Sequence, residues 1–302
     1  MEKELCGVIL VNKHKGVTSH DIVFKIRKLY NTKRVGHTGT LDPLATGVLP
    51  VLVGRAAKAA EYLLSENKEY VAKIKLGLTS DTEDITGKIL TKSDTLPTKS
   101  EFFDACSCFV GEITQIPPMY SALKVNGEKL VDLARKGIEI ERKGRKINIF
   151  SIKPRVIDEN EGEYEILVSC SKGTYIRTLC ADIGAHLGCG AVMTELKRTK
   201  SGSFEIESSF EISQLEAMDF EKRCSLLTPV EELFSEAEAV TLPDFYARLC
   251  KSGCEIYQKK IKTDFPTDTF VRIYDKYGFF ALGQVKEYPD GSAIKAIKLF
   301  VI

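Results

Sequence analysis

Apolar residues between positions 162 and 188 change their spacing from every second residue to every third or fourth, and this change limits the fold more than any other feature. The segment "GEYEILVSC" alternates and predicts a half-buried strand. A Lys-Gly-Thr turn follows, and "YIRTLCADIGAHLG" then carries the apolar stripe of a helix that ends at Gly188. We therefore expect Tyr175 and Arg177 at the junction of this strand and this helix.

Three other segments extend the pattern. "GVILVNKHKG" predicts a short buried strand that turns at Gly16, and "TSHDIVFKIRKLY" predicts a helix with Ser19 as its N-cap. "KEYVAKIKLG" alternates again and directs Tyr70 toward the core near the start of a strand. Because strands and helices follow each other without regular βαβ repetition, the sequence predicts an α+β fold with a mixed or antiparallel central sheet.

The length of the chain and the positions of its glycine and turn residues indicate how it is divided into domains. With 302 residues, 43% of them apolar, it can form one large core and a smaller second one. Residues 117–146 are basic and punctuated by glycine, and we interpret them as an arm inserted in a larger domain over residues 1–238. Residues 239–302 contain the hairpin signals "DKYG" and "PDG", which predict a small β domain.

Charge is unevenly distributed, although the net charge is only +1. Residues 10–40 have a balance of +6 and residues 120–146 a balance of +4, whereas residues 203–238 have a balance of −8. Such polarity suits a protein that neutralises phosphates with one face and keeps the rest soluble. The alternative is that these charge runs are only the solvated faces of helices.

Compartment and metal content follow from what the sequence lacks. No stretch of about 18 apolar residues occurs, and the first apolar run is too short for a secretory signal, so we expect a cytoplasmic protein without a membrane partner. The nine cysteines are scattered and form no C-x-x-C pair, so we interpret them as reduced thiols. No metal-ligand spacing is visible, and we expect no metal site.

The segment "RVGHTGTLDPLATGVLP" at residues 34–50 surrounds a single carboxylate, Asp42, with Gly, Thr and Pro. An aspartate before a proline is often only a turn former. Here the inward Tyr70 and the junction residues Tyr175 and Arg177 favour a catalytic interpretation, because a nearby arginine would hold the pKa of the carboxyl down and keep it anionic. Tyrosine rings also offer faces on which an unstacked base can stack.

The stretch "GHTGTLDPLATGVLPV" resembles the catalytic motif of the TruB family of tRNA pseudouridine synthases. Other segments agree with that family in the same order; they are "NKHKGVTSHDIV", "KEYVAKIKLGLTSDTEDITG", "QIPPMYSALKVNGEKLVDLARKG", "SKGTYIRTLCADIGAHLG" and "ELKRTKSGSF". The similarity extends over residues 5–210. The sequence departs from the family at His14, where Pro is common, and at Lys197, where Arg is more usual, and neither position is the catalytic group.

This resemblance implies a pseudouridine synthase fold with a PUA-like RNA-binding domain, and isomerisation of uridine 55 in the T loop of tRNA. It implies Asp42 as the catalytic carboxylate, Arg177 as its partner, and Tyr70 as a ring that packs on the target base and helps remove the C5 proton. Further residues are implied to contact the substrate; they are His37, Tyr175, Leu196, Lys15, Gly39, Thr40 and Lys124. The resemblance implies no cofactor, no metal and no protein partner, and we expect a monomer that binds the T-arm stem-loop.

Several alternatives remain open. A noncatalytic RNA-folding factor would use the same basic surfaces, with Asp42 incidental. A guide-RNA-dependent synthase of the dyskerin type would share the catalytic motifs, but the arm and the small tail favour a stand-alone enzyme. The segment that holds Thr82 and Asp84 is interpreted as a loop near the RNA, and Asp84 as a second catalytic acid is less favoured. A P-loop NTPase is disfavoured because its phosphate-binding pattern does not occur.

Overall fold

The computed structural model describes residues 5–63 and 67–301 and contains a large sheet, a smaller second sheet and helices packed around them. The strands are β1 (Cys6–Lys13), β2 (Val35–His37), β3 (Thr46–Gly54), β4 (Lys68–Leu76), β5 (Leu78–Ser80), β6 (Ile89–Lys92), β7 (Gly111–Gln115), β8 (Lys124–Val125), β9 (Glu128–Lys129), β10 (Arg145–Asp158), β11 (Glu163–Cys170), β12 (Ala191–Ser201), β13 (Phe204–Glu205), β14 (Thr228–Pro229), β15 (Glu238–Thr241), β16 (Ile256–Tyr257), β17 (Phe270–Asp275), β18 (Gly278–Tyr288) and β19 (Gly291–Leu299).

The α-helices of the described ranges are α1 (Ser19–Leu29), α2 (Ala60–Leu63), α3 (Lys99–Cys108), α4 (Leu130–Arg135), α5 (Ile176–His186), α6 (Ile212–Glu216), α7 (Phe220–Ser225), α8 (Asp244–Lys251) and α9 (Gln258–Ile261). Short 3-10 helices cover Arg55–Ala59, Ile206–Ser208 and Val230–Phe234.

The large sheet runs in the order β14-β1-β3-β12-β4-β11-β10-β7, with β2 beside β3 and β13 beside β12. Its neighbours are antiparallel except for β3 and β12, which are parallel. The predicted α+β class with a mixed sheet is therefore confirmed. The parallel contact brings the end of β12 next to the start of β3, which is where the loop with Asp42 joins the sheet.

The central strands bury the residues that their alternation predicted. Tyr70 and every second residue after it on β4 are buried, as are the apolar residues of β11 that begin with Tyr164. Helix α5 packs its predicted stripe on β12 and β4, and Gly188 follows it with a φ of +74°, a conformation that glycine adopts without strain. The strand, the turn and the helix thus place Arg177 at the expected junction.

The N-cap of helix α1 is Thr18, one residue before the predicted cap. The Thr18 hydroxyl accepts a hydrogen bond from Asp21 N at 3.1 Å, and the Asp21 carboxylate accepts one from Thr18 N at 2.8 Å. This capping box requires the acid three residues after the cap, which Asp21 supplies only for Thr18. The prediction of Ser19 as N-cap is wrong, and the Ser19 hydroxyl bonds to Leu41 instead.

The second sheet runs in the order β15-β17-β18-β19-β16 and contains the hairpins that "DKYG" and "PDG" predicted. This small sheet fits a PUA-like domain. It packs directly on the body, because Leu282 and Phe300 share an apolar cluster with Val8 and Leu52 of the large sheet. Phe300 is only 1% exposed, so the two sheets form a continuous apolar contact.

The predicted arm lies between β7 and β10 and has structure of its own. It contains the β8–β9 hairpin and helix α4. Leu130, at the start of α4, is 1% exposed, and its amide donates to Leu123 O at 2.8 Å. The Val131 amide donates to Ser121 O at 3.1 Å, so the helix of the arm is tied back to the first part of the arm.

All nine cysteines are free thiols, as the sequence predicted, and Cys108 and Cys254 are the exposed ones. Among the residues that the structure describes, no helix has the length and apolar character needed to cross a membrane.

Candidate active site

The loop that joins β2 to β3 carries Asp42, and its backbone is held on both sides of that residue. Ser19 Oγ accepts a hydrogen bond from Leu41 N at 2.9 Å and donates one to Leu41 O at 3.1 Å. On the other side, Pro43 O accepts from Gly16 N at 2.8 Å. The turn after β1 and the start of α1 therefore fix the path of the chain immediately before and after Asp42.

Arg177, the second residue of α5, ends beside Asp42. Its Nε lies 2.9 Å from Asp42 Oδ2. Its Nη1 donates to Thr82 O at 3.0 Å and lies 3.5 Å from Asp84 Oδ2, while Nη2 donates to Tyr120 O at 2.9 Å. Each guanidinium nitrogen has an acceptor, and the side chain is 95% buried. Arg177 thus joins the loop of Asp42, the segment that holds Asp84, and the arm.

Asp84 is a buried carboxylate, 4% exposed. Its Oδ1 accepts from Thr82 Oγ1 at 3.0 Å, from Thr86 N at 2.9 Å and from Thr86 Oγ1 at 2.5 Å. The other oxygen faces Arg177. The segment is loop structure, as expected, but its aspartate is occupied by protein donors. This arrangement suits a group that holds Arg177 and speaks against a second acid that acts directly on a substrate.

The carboxylate of Asp42 is open to solvent on one side, with 37% of the side chain exposed. Burial of the remainder raises the pKa of Asp42, Arg177 opposes that rise, and the charge of Asp84 adds to it. The expectation that the arginine holds this pKa below its usual range is wrong in direction, because the loss of water outweighs the guanidinium. Arg177 is therefore the main group that limits the rise in pKa, and Lys13 adds a smaller effect of the same sign.

Tyr70 is 7% exposed on β4 and pairs in register with Arg198 on β12. Arg198 is fully buried; its Nε donates to Val48 O at 2.8 Å and its Nη2 donates to Gly39 O at 3.3 Å. Burial raises the pKa of Tyr70, and the charge and hydrogen bond of Arg198 oppose this rise. Sequence analysis missed Arg198, although its position two residues after Leu196 on an alternating strand places both on one face.

Lys13 is a second cation that sequence analysis missed. It is fully buried at the end of β1, and its Nζ donates to His14 O at 3.0 Å and to Val17 O at 2.8 Å. Burial lowers the pKa of Lys13 to about 8, and the charge of Asp42 opposes that fall. In the sequence this lysine is one of several in a basic segment, which favours a solvated position; the two carbonyls that hold it are set by the turn geometry.

Four predicted substrate-binding residues lie on the loop of Asp42 or on strands beside it. His37 is half-buried on β2, and burial lowers its pKa, which favours the uncharged ring. Leu196 is 7% exposed on β12, in register with Ala72. Gly39 has a φ of +82°, and Thr40 next to it is exposed. A side chain at Gly39 would be strained by that φ and would meet Arg198 Nη1 at 3.4 Å.

The remaining three predicted residues lie outside the loop of Asp42 and the strands beside it. Tyr175 is half-buried as the N-cap of α5. Lys15 is exposed in the turn after β1, and Lys124 is exposed on β8 of the arm. The structure thus joins Asp42 to Arg177 directly, links Tyr70 to the same loop through Arg198, and leaves Lys124 on the arm.

The side chains of the site define the chemistry available to it. An anionic carboxylate on a fixed loop can attack an electron-poor carbon, and a buried tyrosine beside an arginine can take up or release a proton. Within residues 5–63 and 67–301, no group of three or more His, Cys, Asp or Glu side chains could hold a metal ion. The carboxylate of Asp42 and the phenol of Tyr70 favour acid–base and nucleophilic chemistry.

Comparison with protein families gives two adjacent matches. A model described as "TruB family pseudouridylate synthase (N terminal domain)" matches residues 27–176. A second, described as "tRNA pseudouridylate synthase B C-terminal domain", matches residues 177–235. Together they include Asp42, Tyr70 and Arg177 and end shortly before the second sheet.

Similar proteins and structures cover nearly the whole chain. A protein of Clostridium tetani named tRNA pseudouridine synthase B is 45% identical over 98% of this chain and 99% of its own length. One of Francisella tularensis with the same name is 42% identical over 96% of this chain and 93% of its own. Among solved structures, an H/ACA RNP bound to a substrate RNA containing 2′-deoxyuridine has 25% identity and a TM-score of 0.70. A Cbf5-Nop10-Gar1 complex has 27% identity and a TM-score of 0.71. Each aligns with 98% of this chain and 85% of the solved chain.

Proposed function

This chain belongs to the TruB family of pseudouridylate synthases, and we propose that it is a tRNA pseudouridine synthase that isomerises uridine 55 in the T loop. The observation that carries the proposal is the ion pair between Asp42 and Arg177, at 2.9 Å, in a loop whose backbone is fixed on both sides. A carboxylate held in this way can be kept ionised and aimed at one carbon of a bound nucleotide.

The reaction exchanges one bond of the nucleotide for another. The C1′–N1 bond breaks, a C1′–C5 bond forms, the proton at C5 leaves and N1 gains a proton. Atoms and electrons balance within the nucleotide, so the isomerisation consumes no cofactor. A base inside a folded RNA loop cannot reach Asp42, so the uridine must leave its stack, which costs a few kcal/mol. We assign His37 to the space that it vacates, since the pKa of this ring is lowered and an uncharged ring is easier to bury among bases.

Asp42 acts first in this proposal, as an anion that attacks C1′ of the ribose or C6 of the base. Arg177 supports that anion, because it opposes the rise in pKa that burial causes. A single acid suffices because the leaving uracil delocalises its own negative charge, unlike the leaving group of most glycosidases. Leu196 and Tyr175 line the position of the base, and Gly39 with Thr40 lets the RNA backbone approach the loop.

Tyr70 packs on the target base and helps to remove the proton from C5 in the later part of the reaction. Burial disfavours a charged phenolate at this position, and Arg198 opposes that effect through its charge and hydrogen bond. The arginine also bonds to the carbonyls of Val48 and Gly39, so it holds the tyrosine in register with the loop. Tyr70 and Asp42 are thus oriented by the same strand pair, β3 and β12.

Charge and architecture assign catalysis and RNA binding to different parts of the chain. Residues 1–238 form the catalytic domain, and residues 239–302 form a PUA-like RNA-binding domain. The basic arm at residues 117–146, with Lys124, and the turn with Lys15 bind the T-arm stem-loop. We further propose that the protein acts in the cytoplasm as a monomer without a protein partner, since the basic arm and the small domain supply RNA-binding surfaces within the chain itself.

The experiment that tests this function compares wild type with Asp42→Asn on an unmodified T-arm stem-loop RNA in EDTA. Pseudouridine is mapped at single-nucleotide resolution, and RNA affinity is measured by filter binding. Wild type is expected to convert one uridine, whereas Asp42→Asn binds the RNA and converts none. Tight binding by both proteins without conversion would favour the RNA-folding alternative. Conversion only after a guide RNA is added would favour a guide-dependent synthase.

A further inference from the structure

We propose that residues 115–121, which lead from the end of β7 into the arm and which we call the arm root, position Arg177, so that the position of the arm sets the rate of the chemical step in addition to RNA affinity. Gln115 is the positioning residue of this arrangement. The inference rests on the proposed function, because its effect passes through the pair of Asp42 and Arg177.

Gln115, the last residue of β7, clamps the start of helix α5. Its side chain is 2% exposed; Oε1 accepts from Tyr175 N at 2.8 Å, and Nε2 donates to Tyr175 O at 3.0 Å. Tyr175 is the N-cap of α5, and Arg177 follows two residues later. The helix therefore cannot shift its first turn relative to β7 without breaking both hydrogen bonds of the buried Gln115 side chain.

A second contact joins the arm root to the guanidinium itself. Tyr120 O accepts from Arg177 Nη2 at 2.9 Å, while Nε of the same group lies 2.9 Å from Asp42 Oδ2. A guanidinium is a rigid planar fork, so its nitrogens move together. A displacement of the Tyr120 carbonyl is therefore transmitted to the contact between Arg177 and Asp42.

The rest of the arm is connected to its root. Arg142, near the end of the arm, donates from Nη1 to Pro117 O at 3.1 Å and closes the arm at its base. The Val131 amide donates to Ser121 O, and the amide of the buried Leu130 donates to Leu123 O. The hairpin and the helix of the arm are thus joined by hydrogen bonds to its root, and the root ends at Arg177. An arm that served only as an electrostatic surface would change affinity alone.

The test uses the full-length protein and separates affinity from chemistry. Gln115→Leu keeps nearly the same volume and loses both hydrogen bonds to Tyr175; Thr114→Val, at an exposed neighbour on β7, is the matched control. Single-turnover rates are measured with saturating enzyme on T-arm RNA, together with Kd. Gln115→Leu is expected to lower the rate about tenfold or more, with Kd nearly unchanged, and Thr114→Val changes neither. A full rate at saturation would overturn the inference.

A pH profile provides a readout that a loss of stability alone does not move. Arg177, Asp84 and Lys13 are the charged groups that act on Asp42. Because a misplaced Arg177 opposes the rise in pKa of Asp42 less, the acidic limb of the rate profile of Gln115→Leu is expected at higher pH than in wild type. A limb at the wild-type position, with a reduced rate, would assign Gln115 a merely structural role.

Leu130→Ala and the parallel assay of Asp42→Asn provide two further tests of this inference. If Gln115→Leu does not fold, Leu130→Ala loosens the arm from the other end and is expected to lower the saturated rate; a change in Kd alone would overturn the inference. Wild type and Asp42→Asn are assayed in parallel. An inactive wild type refutes the proposed function, whereas an active wild type, an inactive Asp42→Asn and a full-rate Gln115→Leu refute only the role of the arm.

Discussion

The hydroxyl of Ser19 bonds both backbone groups of Leu41, the residue that precedes Asp42. Ser19 is 2% exposed in the first turn of α1, and Leu41 is 3% exposed. The Ser19 side chain thus supplies both hydrogen bonds that a neighbouring strand would otherwise make to the backbone of Leu41. Since buried backbone groups need partners, this single hydroxyl ties the conformation of the loop to the position of a helix.

Substitution of Ser19 tests this tie, and the adjacent Thr18 gives a matched control. Ser19→Ala leaves the Leu41 amide without its buried partner, which is expected to cost about 1–3 kcal/mol in the free energy of unfolding and to lower the rate of pseudouridine formation. Thr18→Ala removes the helix cap, costs about 0.5–2 kcal/mol, and leaves the rate unchanged. Urea unfolding and single-turnover assays measure both effects.

The comparison of Ser19→Ala with Thr18→Ala shows whether the hydrogen bonds of Ser19 fix the conformation of the Asp42 loop or only stabilise helix α1. Equal rates in Ser19→Ala and Thr18→Ala, at equal loss of stability, would show that the loop keeps its conformation without the hydroxyl.

The raised pKa of Asp42 predicts how activity depends on pH. If the carboxylate must be ionised, the rate falls on acidification as Asp42 takes up a proton, and it does so at a higher pH than an exposed aspartate would require. Arg177→Met removes the main opposing charge, so the acidic limb moves to still higher pH and the maximal rate falls. A single-turnover pH profile of both proteins measures this; an unmoved limb would assign the limb to another group.

The same pKa shift predicts the stability of Asp42→Asn. A carboxyl whose pKa is raised by folding holds its proton more tightly in the folded state, so its contribution to stability falls as pH rises from the unfolded to the folded pKa. Wherever the pH exceeds the unfolded pKa, Asp42 makes folding less favourable than a neutral side chain would, and an amide removes that cost. We expect the Tm of Asp42→Asn at pH 7 to equal or exceed that of wild type, while at pH 4 the difference shrinks. A lower Tm at pH 7 would mean that the ion pair with Arg177 outweighs burial.

Periodicity predicted the parts of the fold that depend on one element at a time. The alternation of β4 placed Tyr70 inside, and the change of spacing after β11 placed Arg177 at the start of a helix. The meeting of Arg177 with Asp42 was predicted from the family resemblance, because residues 135 positions apart in the chain share no local pattern. The spacing of apolar residues predicts which face of its own strand or helix a side chain occupies. Which faces of different elements contact each other depends on the packing of the whole sheet.

The residues that sequence analysis missed owe their positions to backbone carbonyls. Lys13 is buried because the turn after β1 directs two carbonyl oxygens at its ammonium group, and Arg198 because Val48 and Gly39 do the same for its guanidinium. Charged residue types favour the surface unless such partners exist. The direction of the Asp42 pKa was wrong for a related reason, since the sequence shows the arginine but not the loss of water.

Salt dependence separates residues that bind RNA from those that position Arg177. Lys124 is exposed on β8, and its ammonium group is expected to replace one counterion on the RNA backbone. Lys124→Ala should therefore weaken the negative slope of log affinity against log salt by about 0.7–0.9, without changing the rate at saturating RNA. Lys222→Ala, at an exposed lysine within the acidic stretch, is the control and should change neither the slope nor the rate.

An unchanged slope in Lys124→Ala would place the RNA away from the hairpin of the arm. A lowered saturated rate in that variant would mean that an arm residue outside the root also acts on the chemical step, because an exposed side chain on β8 can reach Arg177 only through the seating of the whole arm.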